Sequence, residues 1–293
     1  MSETLLTIAD ALREASEALR ASGVAEARRE AASLLSHLMS RDRTFLITHA
    51  DETLTREQLG SYLSLVERRA AGEPLQYIKG TQEFYGLDFE VNPDVLIPRP
   101  ETELLVETAL ELLRDTPSPL VCDVGTGSGC IAVSLVHTRA DARAVALDLS
   151  PAALRVAARN AARWRVAERI KFLVSDCFDA LASGGHGGAR FDLVASNPPY
   201  VAEDDLEELQ REVREHEPRA ALTPGGDGLS VIRRLVAEAP RHLKPGGYFV
   251  MEIGFGQHES VAEIISPRVW TLLDIRRDLQ GIPRTLALRL KED

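Results

Sequence analysis

Leu120-Val121-Cys122-Asp123-Val124-Gly125-Thr126-Gly127-Ser128-Gly129 joins a short apolar run to a glycine-rich turn, and a helix-like stretch from about Ser128 runs on to His137. The apolar run reads as a buried strand. The glycines permit a tight turn and let a ligand approach the backbone without Cβ atoms in the way. Asp148 ends the next strand, Ala144–Leu147, nineteen residues beyond Gly129. A carboxylate at that place can accept two hydrogen bonds from ribose hydroxyls. A glycine turn alone is only a turn. Its place between strand and helix, with an acid at this distance, favours a nucleotide-like cofactor.

Downstream the same grammar repeats. Pro151 to Trp164 reads as a helix, with proline suited to its first turn. Ile170–Val174 is a strand ending in Ser175-Asp176, and Asp176 or Cys177 can border an adenine ring. Ser183–Gly188 reads as a surface loop. Phe191–Ala195 is a strand ending at Ser196-Asn197-Pro198-Pro199-Tyr200. A helix over roughly Gly228–His242, a turn at Lys244–Gly247, a strand over Tyr248–Glu252, a further helix and two late strands follow. Alternating strands and helices predict an α/β fold, a mostly parallel sheet with helices on both faces. Ligands bind such sheets at the carboxyl ends of the strands, where all these motifs lie.

Upstream, the first seventy or so residues read as helices. Ile8, Leu12, Ala15 and Leu19 recur at helical spacing and Gly23 can end that helix. A second run carries Ala27, Ala31, Leu34, Leu35 and Leu38, and a third opens on the capping-box pattern Thr55-Arg56-Glu57-Gln58 and closes near Gly72. No cluster of catalytic residue types occurs there, so any function is recognition. Glu83–Val91, with aromatics around Gly86, suggests a hairpin. Val95–Pro100 holds two prolines that force an extended segment, and a helix starts near Glu101.

Composition narrows the partners. The 293 residues are 44% hydrophobic and 27% charged, which fits a globular chain and excludes wholesale disorder. The 34 Lys and Arg against 45 Asp and Glu leave a net charge of −11, a poor match to a duplex-gripping protein. No apolar run reaches the roughly 18 residues of a membrane helix, and no signal-peptide pattern opens the chain. The three cysteines, Cys122, Cys130 and Cys177, have neither zinc-site nor disulfide-framework spacing, so no metal is expected and the chain reads as cytoplasmic.

The type of cofactor follows from what the loop lacks. No Gly-Lys-Ser/Thr follows, which disfavours a phosphate loop. The dinucleotide pattern wants its third glycine where Cys130 stands. The tighter Gly-x-Gly-x-Gly, preceded by Asp123, resembles the first motif of S-adenosyl-L-methionine-dependent methyltransferases. Asn197-Pro198-Pro199-Tyr200 then points to the chemistry. The prolines fix the backbone, so the Asn side chain and the Pro198 carbonyl offer two acceptors in a set geometry. Two acceptors suit the two N–H bonds of a planar NH2 group, and Tyr200 can lie flat against its π-system. A rigid turn with an ordinary core tyrosine is the plainer reading of the tetrapeptide taken alone.

That motif resembles methyltransferases acting on planar nitrogen, whether nucleobase amines or the glutamine amide. Further segments are similar to the protein-(glutamine-N5) methyltransferases that modify peptide chain release factors. These are Gly72–Ile78, Glu83-Phe84-Tyr85-Gly86, Ile97-Pro98-Arg99-Pro100-Glu101-Thr102-Glu103, His216-Glu217-Pro218-Arg219 and Glu252-Ile253-Gly254. The resemblance implies a Rossmann-like class I methyltransferase fold with a seven-stranded, mostly parallel sheet. It also implies a five-helix-like all-helical N-terminal domain and a β-hairpin linker. The expected boundaries are 1–75 for the helical domain, 76–100 for the linker and 101–293 for the catalytic domain. S-adenosyl-L-methionine would be held by Gly125, Thr126, Gly127, Ser128, Gly129, Asp148, Asp176, Cys177 and Asn197, leaving S-adenosyl-L-homocysteine as product. The glutamine would be bound by Asn197, Pro198, Pro199 and Tyr200, with Asn197, Pro198 and Tyr200 catalytic.

The implied substrate is the Gly-Gly-Gln loop of class I release factors, with no nucleic acid and no membrane. Some relatives carry an aromatic where Cys177 stands, and a thiol there can only pack. A sister family that methylates a ribosomal protein tends to read Pro-Arg-Ser-Pro in place of Pro98–Glu103. Arg99 is expected to touch substrate or cofactor, with Glu101 or Glu103 as plainer ion-pair partners. His216 and Glu217 read as a hydrogen-bonded loop pair. A DNA adenine methyltransferase and a non-catalytic cofactor-binding scaffold are the rival readings.

Overall fold

Tyr85 and Gly86 both take positive φ, 53° and 73°, which is the mirror-image turn that a two-residue hairpin requires. They join β1 (Thr81–Phe84) to β2 (Leu87–Glu90), and Phe84 faces Leu87 across the ladder. The hairpin therefore forms where the aromatic-flanked glycine predicts it. The computed structural model describes residues 6–182 and 190–292, so the loop expected over Ser183–Gly188 lies outside the described residues. Contacts divide the chain into two units. One runs to Gly80 and includes Gln210–His216; the other holds Thr81–Leu209 and everything from Glu217 onward.

The first unit is helical: α1 (Ile8–Ala21), α2 (Ala27–Met39), α3 (Arg43–Thr48), α4 (Arg56–Ala70) and α5 (Leu75–Lys79), with a short helix at Arg211–His216. Thr7 caps α1, and Thr55 and Gln58 form the capping box that the sequence predicts for α4. Leu19, Leu34, Leu35, Leu46 and Tyr62 share one core, and the Tyr62 hydroxyl donates to the Ala31 carbonyl at 3.0 Å. Periodicity marks α1, α2 and α4. It misses α3 and α5, whose six and five residues are too short to show a stripe. Arg69 is buried between Glu30 and Glu212, each 2.5 Å away.

The second unit is built on a seven-stranded sheet. Its strands are β3 (Leu120–Val124), β4 (Arg143–Asp148), β5 (Ile170–Val174), β6 (Phe191–Ser196), β7 (Leu243–Glu252), β8 (Trp270–Arg277) and β9 (Pro283–Leu290), in the order β5-β4-β3-β6-β7-β9-β8. The first five in that order are parallel, and β9 is antiparallel to both its neighbours. Side chains alternate between two cores. Val121, Ala146 and Leu193 face one core with α6 (Glu103–Leu112), α7 (Cys130–Thr138), α8 (Pro151–Arg163) and the hairpin aromatics. Cys122, Val124 and Val194 face the other, with α9 (Ser230–Glu238) and α10 (His258–Ile264).

Two boundaries differ from expectation. The turn foreseen at Lys244–Gly247 belongs to β7, whose register with β6 shifts between Phe191 and Leu193. Only glycine fits at 247, where a Cβ would stand 2.9 Å from the Lys244 carbonyl oxygen. The helix foreseen to His242 ends at Glu238, and Pro240 lies in a 3-10 turn.

Candidate active site

The chain leaves β3 toward β4 and β5, then crosses back to pair β6 against the other side of β3. That reversal opens a crevice at the carboxyl ends of β3 and β6. Gly125 and Thr126 both donate backbone N–H groups to the Leu147 carbonyl at 2.9 Å. Gly127 donates its N–H to Asp148 Oδ2 and Ser150 donates its own to Asp148 Oδ1, each at 2.8 Å. Asp148 thus ties the glycine loop to the next strand end, and each oxygen keeps a further lone pair. Gly125 and Gly127 have positive φ, 75° and 55°, which a side chain would strain.

Beneath the loop, Asp123 is fully buried. Its Oδ2 accepts from Thr126 Oγ1 at 2.6 Å and from the Ala132 N–H at 3.2 Å. Its Oδ1 is buried with no partner among the described residues. Burial pushes this carboxyl up to about 7 against the help of those two bonds. Burial also raises the Asp148 carboxyl.

Of the residues expected at the site, ten line one cavity of about 520 Å3: Gly125 to Ser128, Asp148, Asp176, Cys177 and Asn197 to Pro199. Gly129 and Tyr200 are not among its lining residues. Gly129 precedes α7, where a Cβ would come within 3.0 Å of the Ala157 Cβ, so its place is close packing against α8. The Tyr200 hydroxyl donates to Glu252 Oε1 at 3.2 Å, and its carbonyl accepts from Gln257 Nε2 at 2.8 Å. Cys177 has φ of 45°, and burial pushes its thiol up to about 11, which removes any thiolate role near neutral pH. Asp176 pairs with Arg234 at 2.8 Å.

Asn197 leads to residues that sequence reading did not connect. Its Nδ2 donates to Thr102 Oγ1 at 3.1 Å, and Thr102 Oγ1 donates to Glu252 Oε2 at 2.6 Å. Glu252 and Thr102 both stand in quoted segments, but 150 residues separate them and no spacing rule joins them. Arg99 lines the cavity and pairs with Glu217 at 2.5 Å, and Glu217 Oε2 also accepts the Ile97 N–H at 3.1 Å. Among the described residues the partner of Arg99 is therefore neither Glu101 nor Glu103, and Glu217 serves the Pro98 segment.

The donor set fits S-adenosyl-L-methionine. Asp148, with unused lone pairs at the second strand end, lines the cavity and matches a ribose diol. Leu149, 64% exposed on the wall, offers apolar surface to a flat ring. Gly125–Gly129 carries no Lys or Arg for a phosphate.

Comparison with known proteins agrees with this geometry. A family model described as PrmC N-terminal domain matches residues 10–80, and one described as Methyltransferase small domain matches residues 100–264. The chain is 45% identical over 285 residues to the release factor glutamine methyltransferase of Nitratidesulfovibrio vulgaris, covering 97% of this chain and 95% of that one. It is 43% identical over 284 residues to the enzyme of the same name from Koribacter versatilis, covering 97% and 99%. Among solved structures, the catalytic domain of hMettl16 in complex with MAT2A 3'UTR hairpin 6 superposes with a TM-score of 0.55 at 15% identity, covering 88% of this chain and 92% of that one. A methyltransferase from Pyrococcus furiosus gives a TM-score of 0.50 at 17% identity, covering 71% and 90%. These two likenesses show the fold alone, that of class I methyltransferases. At more than 40% identity over nearly its whole length, the chain belongs to the release factor glutamine methyltransferase family.

Proposed function

We propose that the chain methylates the side-chain amide nitrogen (N5) of the glutamine in the Gly-Gly-Gln loop of class I peptide chain release factors, and so acts in translation termination. One observation carries the chemistry. Asn197 has its amide nitrogen engaged by Thr102, while no described residue donates to its Oδ1 or to the Pro198 carbonyl. Two free acceptors held by a Pro-Pro backbone suit the two N–H bonds of a primary amide. The names of the relatives supply the class of protein that presents it.

Bound in the cavity, S-adenosyl-L-methionine supplies a sulfonium methyl group whose S–C bond breaks as the N–C bond forms, the electron pair passing to sulfur. Asn197 Oδ1 and the Pro198 carbonyl orient the amide nitrogen, whose delocalised lone pair makes it a weak nucleophile. The same acceptors stabilise the positive charge that the nitrogen gains, and the proton leaves afterwards to water. No general base is required, and none is part of the Asn-Pro-Pro-Tyr segment. Pro199 fixes this geometry, and Tyr200, anchored on Glu252, flanks the glutamine side chain. Gly125 to Ser128, Asp148, Asp176, Cys177 and Asn197 hold the cofactor, and Gly129 packs the end of that loop against α8. Residues 1–75 recognise the release factor, 76–100 link, and 101–293 catalyse, in the cytoplasm and without nucleic acid.

The test is methyl transfer from labelled S-adenosyl-L-methionine to three substrates: a class I release factor, the same factor with its loop glutamine replaced by alanine, and duplex DNA. Label on the first alone is expected. Label on DNA overturns the substrate reading.

A further inference from the structure

We propose that Thr102 and Glu252 decide which end of the Asn197 amide faces the cavity, and thereby make the site select a glutamine amide over a glutamate carboxylate. The inference deepens the function proposed above and rests on it.

The argument is one of hydrogen-bond polarity. An ionised carboxylate can only accept, so both hydroxyls on Glu252 must donate: Thr102 to Oε2 at 2.6 Å and Tyr200 to Oε1 at 3.2 Å. The Thr102 hydroxyl has one proton, which this bond consumes. Toward Asn197 it presents lone pairs alone, at 3.1 Å. The amide must therefore offer its NH2 end to Thr102, and its oxygen is left for the cavity. The reverse orientation would set oxygen against oxygen. Substrate glutamine brings an NH2 group to that oxygen, whereas glutamate brings only acceptors.

The setting argues that this relay serves more than cohesion. Glu252 is 1% exposed and Thr102 is 2% exposed. A carboxylate so deeply buried is costly unless paired with a cation. Glu252 has no salt bridge within 4 Å among the described residues; Arg284, which faces it, pairs with Asp278 at 3.1 Å, and Glu101 adds a like charge. Among the described residues two hydroxyls are its hydrogen-bond donors, with the more distant charge of Arg284 as further support. A neutral side chain of the same shape would hold the turn Pro100–Thr102 to β7 at lower cost, but would not fix the direction of the relay. The three groups come from three elements: the 3-10 turn before α6, the end of β7 and the loop after β6.

The experiment measures binding, in the presence of S-adenosyl-L-homocysteine, of an intact release factor and of the same factor with its loop glutamine replaced by glutamate. Methyl transfer to the intact factor is followed alongside. The wild-type chain is expected to prefer the glutamine factor by about 10- to 100-fold, since glutamate leaves the acceptors unpaired. Thr102→Val keeps the shape without the hydroxyl, lets the amide turn over, and should bring that ratio within about threefold. Thr102→Ser restores the hydroxyl and should recover most of the preference, which a packing role for the threonine methyl would not allow. If Thr102→Val does not fold, Glu252→Gln carries the test. Its amide can donate to Thr102 and reverse the relay, so the same loss of ratio is expected. A full preference in the folded Thr102→Val or Glu252→Gln variant, or a Thr102→Ser variant as impaired as valine, overturns the inference while wild-type transfer stands. Failure of the wild-type chain to methylate the factor overturns the substrate reading itself, and this inference with it.

Discussion

Ser196 sits opposite Val124 in the parallel ladder of β6 and β3, and its Oγ donates to the Val124 carbonyl at 2.7 Å. The next residues are Asn197 on one strand and Gly125 on the other. This one bond therefore sets the substrate-side loop level with the cofactor-side loop. Ser196 is fully buried, so Ser196→Ala would leave a carbonyl acceptor with no donor. We expect a loss of about 1 to 2 kcal/mol in stability by denaturant titration. We also expect kcat/KM to fall more than the Kd for S-adenosyl-L-homocysteine rises, because the bond aligns two loops and touches neither ligand.

Asn197→Ala removes one of the two acceptors and should lower kcat by about 100- to 1000-fold, the range seen when a single charge-stabilising group is lost. The thermal midpoint should change little, because the residue is only half-buried and its one internal bond is to a hydroxyl. Transfer near the wild-type rate would return the Asn-Pro-Pro-Tyr segment to the status of a rigid turn, and the scaffold reading with it.

The loop after β6 has a second support that sequence alone gave no reason to suspect. Gly228 has φ of 76°, and a Cβ there would stand 2.3 Å from the Tyr200 carbonyl oxygen and 3.0 Å from the Ala202 nitrogen. Gly228→Ala must push the Tyr200 backbone aside or give up its left-handed conformation. We expect a loss of at least about 2 kcal/mol from strain and overpacking together, and a matching loss of turnover. A wild-type melting temperature and rate would show that the Tyr200 loop has slack.

What the sequence made legible is local. The strand–glycine–helix unit at Leu120–His137, the acid at Asp148 and the Asn-Pro-Pro-Tyr turn are each written within a few residues, and eight of the expected site residues in them meet at one cavity. The hairpin was legible for the same reason. What stayed hidden depends on residues far apart in the chain: Thr102 on Glu252, Arg99 on Glu217, Gly129 on Ala157. Periodicity cannot report a contact across 150 residues. It also cannot separate a glycine that lines a cavity from one that packs two helices, since both appear as the same letter after the same strand.

The buried triad of the helical unit gives a prediction independent of catalysis. Arg69 lies 2.5 Å from both Glu30 and Glu212 with its side chain 8% exposed. Arg69→Ala leaves two carboxylates facing a void, and should cost about 3 kcal/mol, at the lower end for breaking a buried ion pair because Glu212 keeps access to water. Arg69→Met, which fills the volume, should lose less once Glu30 is also changed to Leu. A loss under about 0.5 kcal/mol in the alanine variant would place this triad with surface pairs.

Stability and activity should respond to pH in opposite directions over one window. Burial pushes Glu252 up to about 7 from its ordinary 4.5, and Asp123 up to about 7 from 3.8. Both groups hold their protons more tightly in the folded chain than in the unfolded one. Their stabilising contribution is therefore full in acid, below the unfolded values, and is lost as pH rises through the folded ones. The melting temperature should decline between about pH 4 and pH 7 and level off above. The relay through Thr102 needs Glu252 ionised, so kcat/KM should rise across the same window, with an acid limb near 7 in the free enzyme. Glu252→Gln separates the two effects. It should flatten part of the decline in melting temperature and remove the acid limb, leaving a low rate that no longer depends on pH near 7. An acid limb that survives in that variant would assign the titration to Asp123 or to the cofactor, and would leave Glu252 a purely structural carboxylate.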